Sequence, residues 1–417
     1  MKKVIGFTLI LLFSNTLFAQ KRCGTTDYLH LLENNHPEIR DEKINLEKDI
    51  QKWIKDNAKY QLKSIITIPI VVHVVYNSPQ QNISDQQIQS QITVLNNDYR
   101  RTNIDAMMTP SVWTSVAADC EIEFCLASTD PNGNNTNGIT RTQTSQSSFS
   151  MQGDPVKDAS SGGKDAWPND DYLNIWVCDL GSGLLGYASP PSNWTNPEDG
   201  VVIGYKYFGN TGTAQPPYHK GRTTTHEIGH YLGLNHTFSE SNWPSNSCLD
   251  SQGNSICCDR DGGNVDDTPA TDGIYWGNVT SSTNNNTCND LNYGFNSDLL
   301  DMDENYMSYA ANTWMFSQGQ VNVMLITLNA SESNGGRSAL KNSNVSVNCS
   351  GIISATNNFP SNINLNIYPN PSKGNLVINA SEKIITIYFI CFYCIITWIR
   401  KLCTIVLSCL FLLTIFY

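Results

Sequence analysis

The sequence has little positive charge for its length. Its 417 residues include 26 Lys and Arg against 38 Asp and Glu, which gives a formal net charge of -12. A surface that binds nucleic acid needs a strongly basic face to meet the phosphate backbone, and this composition cannot assemble one. The charge balance therefore argues against nucleic acid as a partner.

The chain also lacks an uninterrupted apolar run of the length of a usual membrane span at its start. Lys2 and Lys3 precede a short apolar run that ends at Ala19, which is the organisation of a secretory signal peptide over residues 1–19. The alternative, a transmembrane anchor, is disfavoured because the run is short. In an exported chain the 13 cysteines indicate disulfides, and the odd total leaves at least one for another use.

Histidine is scarce, yet three of the seven histidines fall within eleven residues, 226–236. His226 and His230 are four apart, so on a helix both point to the same side. Gly233 can end that helix with positive φ and bring His236 back as a third nitrogen. Three imidazoles leave one position of a tetrahedral zinc ion (Zn²⁺) open, as catalytic sites do. The alternative is an ordinary helix that binds nothing, but the complete HExxHxxGxxH string disfavours it and resembles the metzincin signature.

The residues around this string predict a hydrolytic mechanism. Glu227 lies one step round the helix, where its carboxylate can take a proton from a water molecule that zinc acidifies. The phenol of Tyr309 is expected to hold the developing oxyanion together with the metal. In metzincins a methionine turn forms an apolar floor beneath the histidines, and Met307 in ENYMSYA (304–310) fits that position as a packing residue.

The organisation along the chain favours an α/β domain preceded by a small helical segment. Residues 20–62 are charged and helix-prone, and they are interpreted as a prosegment. The β-branched run at 64–76 predicts a buried strand that opens a catalytic domain over residues 63–345. An amphipathic helix at 83–100 and a strand at 172–180 continue the pattern. His73, within the first strand, is expected to be a core histidine.

Residues 184–191, LLGYASPP, are a candidate edge strand for pairing with an extended peptide. Gly186 and Ala188 would leave that edge open for the substrate, and Pro190 would end it. A plain edge strand terminated by proline is the alternative, which sheets of this kind also need.

The segment from 239 to 300 has few apolar runs and four cysteines, so it cannot fold by burial alone. We expect an irregular lower lobe that is held by disulfides. Its loop 259–269 offers oxygen ligands of the kind that calcium (Ca²⁺) takes, among them Asp261, Asp267 and Thr268. A solvated acidic loop is an equally good interpretation of the spacing.

Taken together, several motifs resemble the pappalysin family of metzincins. They are VVHVV (71–75), YLNIWV (172–177), LLGYASPP (184–191), GRTTTHEIGHYLGLNHTF (221–238), DDTP (266–269) and ENYMSY (304–309). The resemblance implies a two-lobed α/β zinc protease domain with a mixed twisted sheet and an active-site helix. It also implies endopeptidase activity on protein or peptide substrates, and calcium near Asp267 and Thr268.

The resemblance further implies latency. KRCGT (21–25) is similar to the cysteine-switch segment of zymogens in which a thiolate fills the fourth zinc position, a role that falls to Cys23 here. A disulfide half-cystine is the alternative for Cys23. Bacterial relatives usually carry two aspartates after the methionine-turn tyrosine, whereas this chain has Ala311 and Asn312. These two residues supply no negative charge, so the sequence leaves open whether a preference for basic residues after the cleaved bond carries over.

The C-terminal end departs from the protease pattern. Residues 354–383 resemble the start of the C-terminal sorting domain of Bacteroidetes-type secreted proteins, which would place the protein outside the cell or at its surface. Residues 384–417 are strongly hydrophobic, with Arg400 and Lys401 as their charges, and we interpret them as the product of a frameshift. A membrane anchor is the alternative, so membrane contact is expected through this tail alone.

The competing function for the whole chain is an exported binding or adhesion module that keeps the protease fold without turnover. Glu227 disfavours it, because a binding protein has no need of a general base.

Overall fold

The computed structural model describes residues 22–56, 65–181, 183–192, 199–239, 258, 265–280, 282–332 and 335–345, together with the backbone of six strands between 365 and 416. The chain divides into two compact units, Met1–Ser350 and Gly351–Tyr417. The predicted signal peptide and Asp261 lie outside the described residues.

Among the described residues, two helices precede the first strand of the main sheet. Helix α1 spans Thr25–Asn35 and helix α2 spans Glu38–Asp56. Pro37 stands immediately before α2, where a missing N–H costs nothing. Leu46 from α2 is buried in the main hydrophobic core. The two helices therefore pack against the rest of the first unit instead of standing apart from it.

A six-stranded sheet forms the upper part of the first unit. Its strands are β1 (Ile66–Tyr76), β3 (Ile122–Leu126), β4 (Ile139–Gln143), β5 (Leu173–Cys178), β6 (Gly186–Ala188) and β7 (Val201–Gly204). Strand β2 (Ala117–Ala118) instead pairs with β8 (Phe316–Ser317) in a separate two-stranded sheet. The order is β3-β1-β5-β7-β6, and β4 pairs with the second half of β1. Only β6 is antiparallel to its neighbour within this sheet. The near-continuous apolar runs of β1 and β5 fit strands covered on both faces.

Helices cover one face of this sheet. Helix α3 (Asp85–Tyr99) begins at Ser84, whose hydroxyl accepts a hydrogen bond from the backbone N–H of Gln87 at 3.2 Å. Helix α4 (Arg222–Tyr231) packs beside it and against β6 and β7. His73 in β1 is fully buried, and its two ring nitrogens bond to the side chains of Thr140 and Asn174 at 2.7 and 3.0 Å. It is the core histidine that the sequence predicts.

The lower part has little regular structure. Its described residues include α5 (Gln318–Thr327) and a short 3₁₀ turn at Asp290–Tyr293, whereas α6 (Ser338–Asn342) contacts β1 of the sheet. Ser317 and Gln320 form a reciprocal capping box at the start of α5. A disulfide joins Cys258 to Cys288, with their Cα atoms 5.8 Å apart. The prediction of a mixed α/β domain with an irregular, disulfide-held lower lobe is confirmed.

The second unit contains six strands, β9 (Leu365–Tyr368), β10 (Gly374–Ala380), β11 (Thr386–Cys391), β12 (Cys394–Trp398), β13 (Ile405–Leu407) and β14 (Leu412–Phe416). They form two antiparallel three-stranded sheets, in the orders β13-β10-β9 and β12-β11-β14. A sorting domain at 354–383 and a frameshifted tail remain sequence predictions. Among the described residues no helix has the length and hydropathy to cross a membrane.

Candidate active site

Helix α4 and the turn after it bring the three predicted histidines together. His226 and His230 lie on the same side of α4, and both are buried. Gly233 has a φ of +95°, a backbone conformation that residues other than glycine rarely adopt. This turn returns the chain so that His236, also buried, faces the other two rings.

The three imidazoles present their lone pairs to one point. The Nε2 atoms of His226, His230 and His236 are each 3.1 Å from the other two. The Nδ1 atoms of His226 and His230 lie 2.7 Å from the backbone oxygens of Tyr306 and Leu234, which assigns the protons to Nδ1. Burial lowers the pKa of His226, and it lowers the pKa of His230 to about 4. Neutral rings with converging lone pairs are the arrangement that a metal cation requires.

Cys23, in the segment that the sequence predicts to be a prosegment, joins this group. One ligand atom from each of Cys23, His226, His230 and His236 lies within 4.8 Å of all the others, and all four side chains are buried. Three imidazole nitrogens and one sulfur form a donor set that suits tetrahedral zinc. The residues present therefore fit a zinc ion.

Glu227 lies beside this group and faces the prosegment. Its Oε2 accepts hydrogen bonds from Thr25 Oγ1 at 2.8 Å and from Cys23 Sγ at 3.3 Å. Its Oε1 is buried and has no hydrogen-bond partner among the described residues. Burial raises the pKa of Glu227 to about 8. The carboxyl group is thus held in a dry site with one oxygen still available.

The start of the prosegment lies along the edge strand β6. The backbone N–H of Gly24 donates to Gly186 O at 2.9 Å, and the N–H of Ala188 donates to Thr25 Oγ1 at 2.9 Å. Cys23 forms a parallel bridge with Gly186. A Cβ on Gly186 would lie 3.1 Å from Glu227 Cγ and 2.9 Å from the side chain of Ile203, so glycine is required for the close approach. Residues 23–25 therefore occupy the strand edge that the sequence predicts to pair with substrate.

Met307 and Tyr309, from the predicted methionine turn, lie close to α4 and His236. Met307 is fully buried, and a Cβ added to Gly229 of α4 would lie 2.5 Å from its Sδ. Tyr309 packs its ring 4.8 Å from that of His236, and its hydroxyl donates to the backbone oxygen of Cys23 at 3.4 Å. Tyr309 is therefore in contact with the histidine group, and Met307 packs against the helix that carries His226 and His230.

The sequence interpretation missed Arg22. Its guanidinium is buried, donates to Ala310 O and stands over the ring of Tyr218 at 4.9 Å. The surrounding cavity is lined by Pro217, Tyr218, Lys220, Arg222, Thr223 and Ala311. Burial lowers the pKa of Arg22. The position of a cationic residue directly before Cys23 is the sequence feature from which this contact could have been predicted.

Asp267, a predicted calcium ligand, lies at the start of α5. Its two carboxylate oxygens accept hydrogen bonds from Ser317 Oγ at 2.7 Å and from the N–H of Gly319 at 2.8 Å. These contacts give Asp267 a role at the helix N-terminus. Thr268 is buried, and its hydroxyl has no partner among the described residues. Calcium binding stays a prediction.

Comparisons with known proteins agree on one family. A family model described as pregnancy-associated plasma protein-A matches residues 158–329. The solved structure of a promirolysin mutant from Tannerella forsythia is 40% identical, with a TM-score of 0.63 over 77% of this chain and 97% of that one. Mature mirolysin from the same organism, in complex with a cleaved peptide, is 44% identical, with a TM-score of 0.58 over 67% of this chain and 97% of that one. The chain belongs to the pappalysin family.

More distant pappalysin relatives support the same class of activity. An extracellular metalloprotease of Arthroderma gypseum is 27% identical over 320 residues, which are 75% of this chain and 85% of that protein. Another from Arthroderma benhamiae is 28% identical over 265 residues, which are 62% of this chain and 71% of that protein. The protein is thus a metalloprotease whose relatives are extracellular.

Proposed function

We propose that this pappalysin is a secreted zinc endopeptidase that is synthesised as a latent zymogen. The observation that carries the proposal is the single group formed by three histidine Nε2 atoms, the Sγ of Cys23 and the neighbouring carboxyl of Glu227. Its metal ligands, general base and blocking thiol all lie in one buried site.

His226, His230 and His236 would hold the zinc ion, and Cys23 would occupy the fourth position in the latent chain. When bound, the ion supplies Lewis acidity, which makes a nearby water molecule easier to deprotonate and polarises the carbonyl of the substrate. The backbone oxygens of Tyr306 and Leu234 keep two of the rings in the tautomer that ligation needs.

Glu227 moves the proton. Departure of the prosegment removes the Thr25 and Cys23 hydrogen bonds from Oε2, which frees the carboxylate to accept a proton from the attacking water. A new C–O bond forms at the peptide carbonyl, and the C–N bond breaks as Glu227 returns the proton to the leaving amine. The two products are a carboxyl terminus and a free amino terminus.

Tyr309 would stabilise the negative charge that develops on the carbonyl oxygen. Its hydroxyl already donates to a backbone carbonyl beside the metal group, that of Cys23, at 3.4 Å. The prosegment carbonyl therefore stands in for the carbonyl of a substrate. A phenol that donates to this oxygen contributes most when the oxygen becomes an oxyanion.

The edge of β6 would hold the substrate in extended form. Gly186 O and the N–H of Ala188 both bond to prosegment atoms in the latent chain, and they become available once the prosegment leaves. Backbone bonds of this kind bind a peptide without strong dependence on its side chains. Protein and peptide substrates fit this edge, in line with the cleaved peptide that accompanies mature mirolysin.

The remaining parts of the proposal concern processing and metals. We infer that residues 1–19 direct export, that residues 20–62 are removed on activation, and that residues 354–383 belong to a sorting domain. Calcium at the loop containing Asp261, Asp267 and Thr268 is a sequence-based hypothesis. Isothermal titration of calcium into the secreted protein would test that hypothesis directly.

A digest of a denatured proteome tests the central proposal. The full secreted chain is activated and compared with Glu227→Gln, which keeps the size of the side chain, and with enzyme treated with a zinc chelator. New peptide termini are identified by mass spectrometry. We expect cuts only from the activated wild type that has not been treated with chelator. If this protein makes no cuts after its prosegment is removed, the result would favour a binding module without turnover.

A further inference from the structure

The prosegment makes a second buried contact on the opposite face of the sheet from the zinc site. Tyr28 in α1 is 3% exposed, and its hydroxyl donates to Asp154 Oδ2. The hydroxyl of Tyr187 donates to the other oxygen, Oδ1, at 2.5 Å. The Lys157 ammonium lies 3.1 Å from the same carboxylate and 3.4 Å from the hydroxyl of Tyr28. One carboxylate, one ammonium and two phenols thus form a buried polar cluster, and the ammonium also donates to the Ser189 hydroxyl at 3.4 Å.

The protease domain builds most of this cluster. The side chain of Lys157 has no solvent exposure. Its ammonium lies 4.9 Å from the ring centroid of Tyr28, 5.4 Å from that of Trp176 and 5.3 Å from that of Tyr187. A buried ion pair costs solvation energy unless hydrogen bonds satisfy the remaining lone pairs. Tyr28 supplies one of the two phenolic donors to Asp154. A prosegment residue therefore completes a charged site that belongs to the protease domain.

This cluster is separate from the catalytic group. Tyr187 lies between Gly186 and Ala188 on β6, so its side chain points to the opposite face of the sheet from theirs. It packs with Trp176 and Val202 in a hydrophobic cluster distinct from the one that contains α4. The two anchors of the prosegment, at Cys23 and at Tyr28, lie on different sides of the same edge strand.

We propose that Asp154, Lys157 and Tyr187 form a phenol-binding anchor that holds the prosegment independently of zinc. Its ligand is a tyrosyl side chain, that of Tyr28, and the prosegment stays bound after its peptide link to the protease domain is cut. A phenylalanine in its place would fill the space but leave a buried carboxylate oxygen without one of its donors. The anchor extends the proposed latency of this zymogen to a site away from the metal.

Retention of a nicked prosegment tests the anchor. The full-length chain carries Glu227→Gln to prevent self-digestion and a specific protease site inserted between positions 59 and 62. After nicking, zinc is removed with a chelator, and dissociation of the prosegment is followed by size-exclusion chromatography and native mass spectrometry. We expect Tyr28→Phe to dissociate about ten to a hundred times faster than the parent, which is the effect of losing a buried hydrogen bond to a charged group.

Two further variants sharpen the result. His30→Ala removes a side chain that is 61% exposed on the same helix, and it should dissociate at the parental rate. Asp154→Asn should also speed dissociation, and combining it with Tyr28→Phe should add little because both remove the same contact. Equal dissociation rates for Tyr28→Phe and the parent would overturn the anchor. Because the measurement involves no catalysis, its outcome does not depend on whether the protein cleaves peptides.

Discussion

The Sγ of Cys23 lies 3.3 Å from Oε2 of Glu227 and donates a hydrogen bond to it. The same sulfur belongs to the group of four metal-ligand atoms. One prosegment side chain therefore engages both parts of the proposed machinery, the open metal position and the general base. Burial and the nearby Glu227 carboxylate raise the pKa of the Cys23 thiol, so a metal ion is needed to favour its thiolate form.

Replacing Cys23 with alanine should weaken latency. The unprocessed Cys23→Ala chain loses the sulfur ligand, and we expect its peptidase activity to exceed that of the unprocessed wild type by roughly tenfold or more, since tenfold corresponds to only about 1.4 kcal/mol. A fluorogenic peptide assay during the first minutes after purification measures this. His30→Ala changes an exposed side chain of the nearby helix α1, and this variant should remain latent. Equal activity of Cys23→Ala and wild type would contradict the blocking role.

Replacing Tyr309 with phenylalanine should reduce turnover more than substrate binding. The ring packs against His236 and Phe238, so the variant keeps that packing and loses only the hydroxyl. Removing one donor to an oxyanion costs about a hundredfold or more in kcat. Steady-state kinetics of the activated enzyme would show a lower kcat with KM nearly unchanged. A variant with wild-type kcat would remove Tyr309 from the mechanism.

The local part of the active site could be predicted from the sequence. His226 and His230 are four residues apart on one helix, and Gly233 marks the turn to His236, so helical geometry alone brings them together. Buried strands such as β1 and β5 were also predictable, because their apolar runs are long and β-branched. These features depend on contacts within about ten residues of sequence.

The remaining features depend on contacts between distant parts of the chain. Arg22 meets Ala310, 288 residues away, and Tyr28 meets Asp154, 126 residues away. Strand β4 reads ITRTQ and carries no clear apolar pattern, yet it pairs with β1. Asp267 has the chemistry of a calcium ligand, but its observed hydrogen bonds are those of a helix cap. The spacing of apolar and polar residues along the sequence does not predict these contacts, because each depends on residues that are distant in the chain.

The cavity around Arg22 predicts a preference for arginine near the cleaved bond. The guanidinium of Arg22 contacts the ring of Tyr218 and the backbone carbonyl of Ala310. The cavity therefore holds a cation although Ala311, which also lines it, supplies no charge. The prosegment runs parallel to β6. We expect a substrate to form the stabler antiparallel ladder, which would place its residue after the cut in this cavity.

Tyr218→Leu should lower kcat/KM for peptides with arginine directly after the cut by about three- to thirtyfold, the range of a cation–π contact. Peptides with leucine at that position should be cut as before, and Tyr218→Phe should keep the arginine preference because the ring remains. A peptide library read by mass spectrometry measures all three. If Tyr218→Leu retains the full preference for arginine, the cavity does not select the residue after the cut.

Chelation should abolish activity and destabilise the activated enzyme. Three buried histidines with converging lone pairs lose their common partner when zinc leaves, and a ligand bound to the native state alone adds about 4 kcal/mol of stability at a thousandfold excess over its Kd. We expect the midpoint of thermal unfolding to fall on chelation and to recover with added zinc. Glu227→Gln should show the same shift without activity, which separates metal binding from proton transfer. An unchanged midpoint in both proteins would argue against a buried zinc site.

Replacing Gly229 with alanine should destabilise the protein, because Met307 leaves no room for a side chain at this position. A Cβ at position 229 would lie 2.5 Å from Met307 Sδ, closer than real Cβ contacts, so Gly229→Ala must displace the methionine or the helix. Overpacking of a buried contact costs about 1–3 kcal/mol, which should appear in urea unfolding as a lower midpoint with an unchanged slope. Gly273→Ala is the matched control, because nothing lies within 4 Å of the added Cβ there. Because Gly229 lies between His226 and His230 on α4, a displaced helix should also lower zinc affinity. A Gly229→Ala variant as stable as Gly273→Ala would show that Met307 and α4 can move apart without a loss of stability.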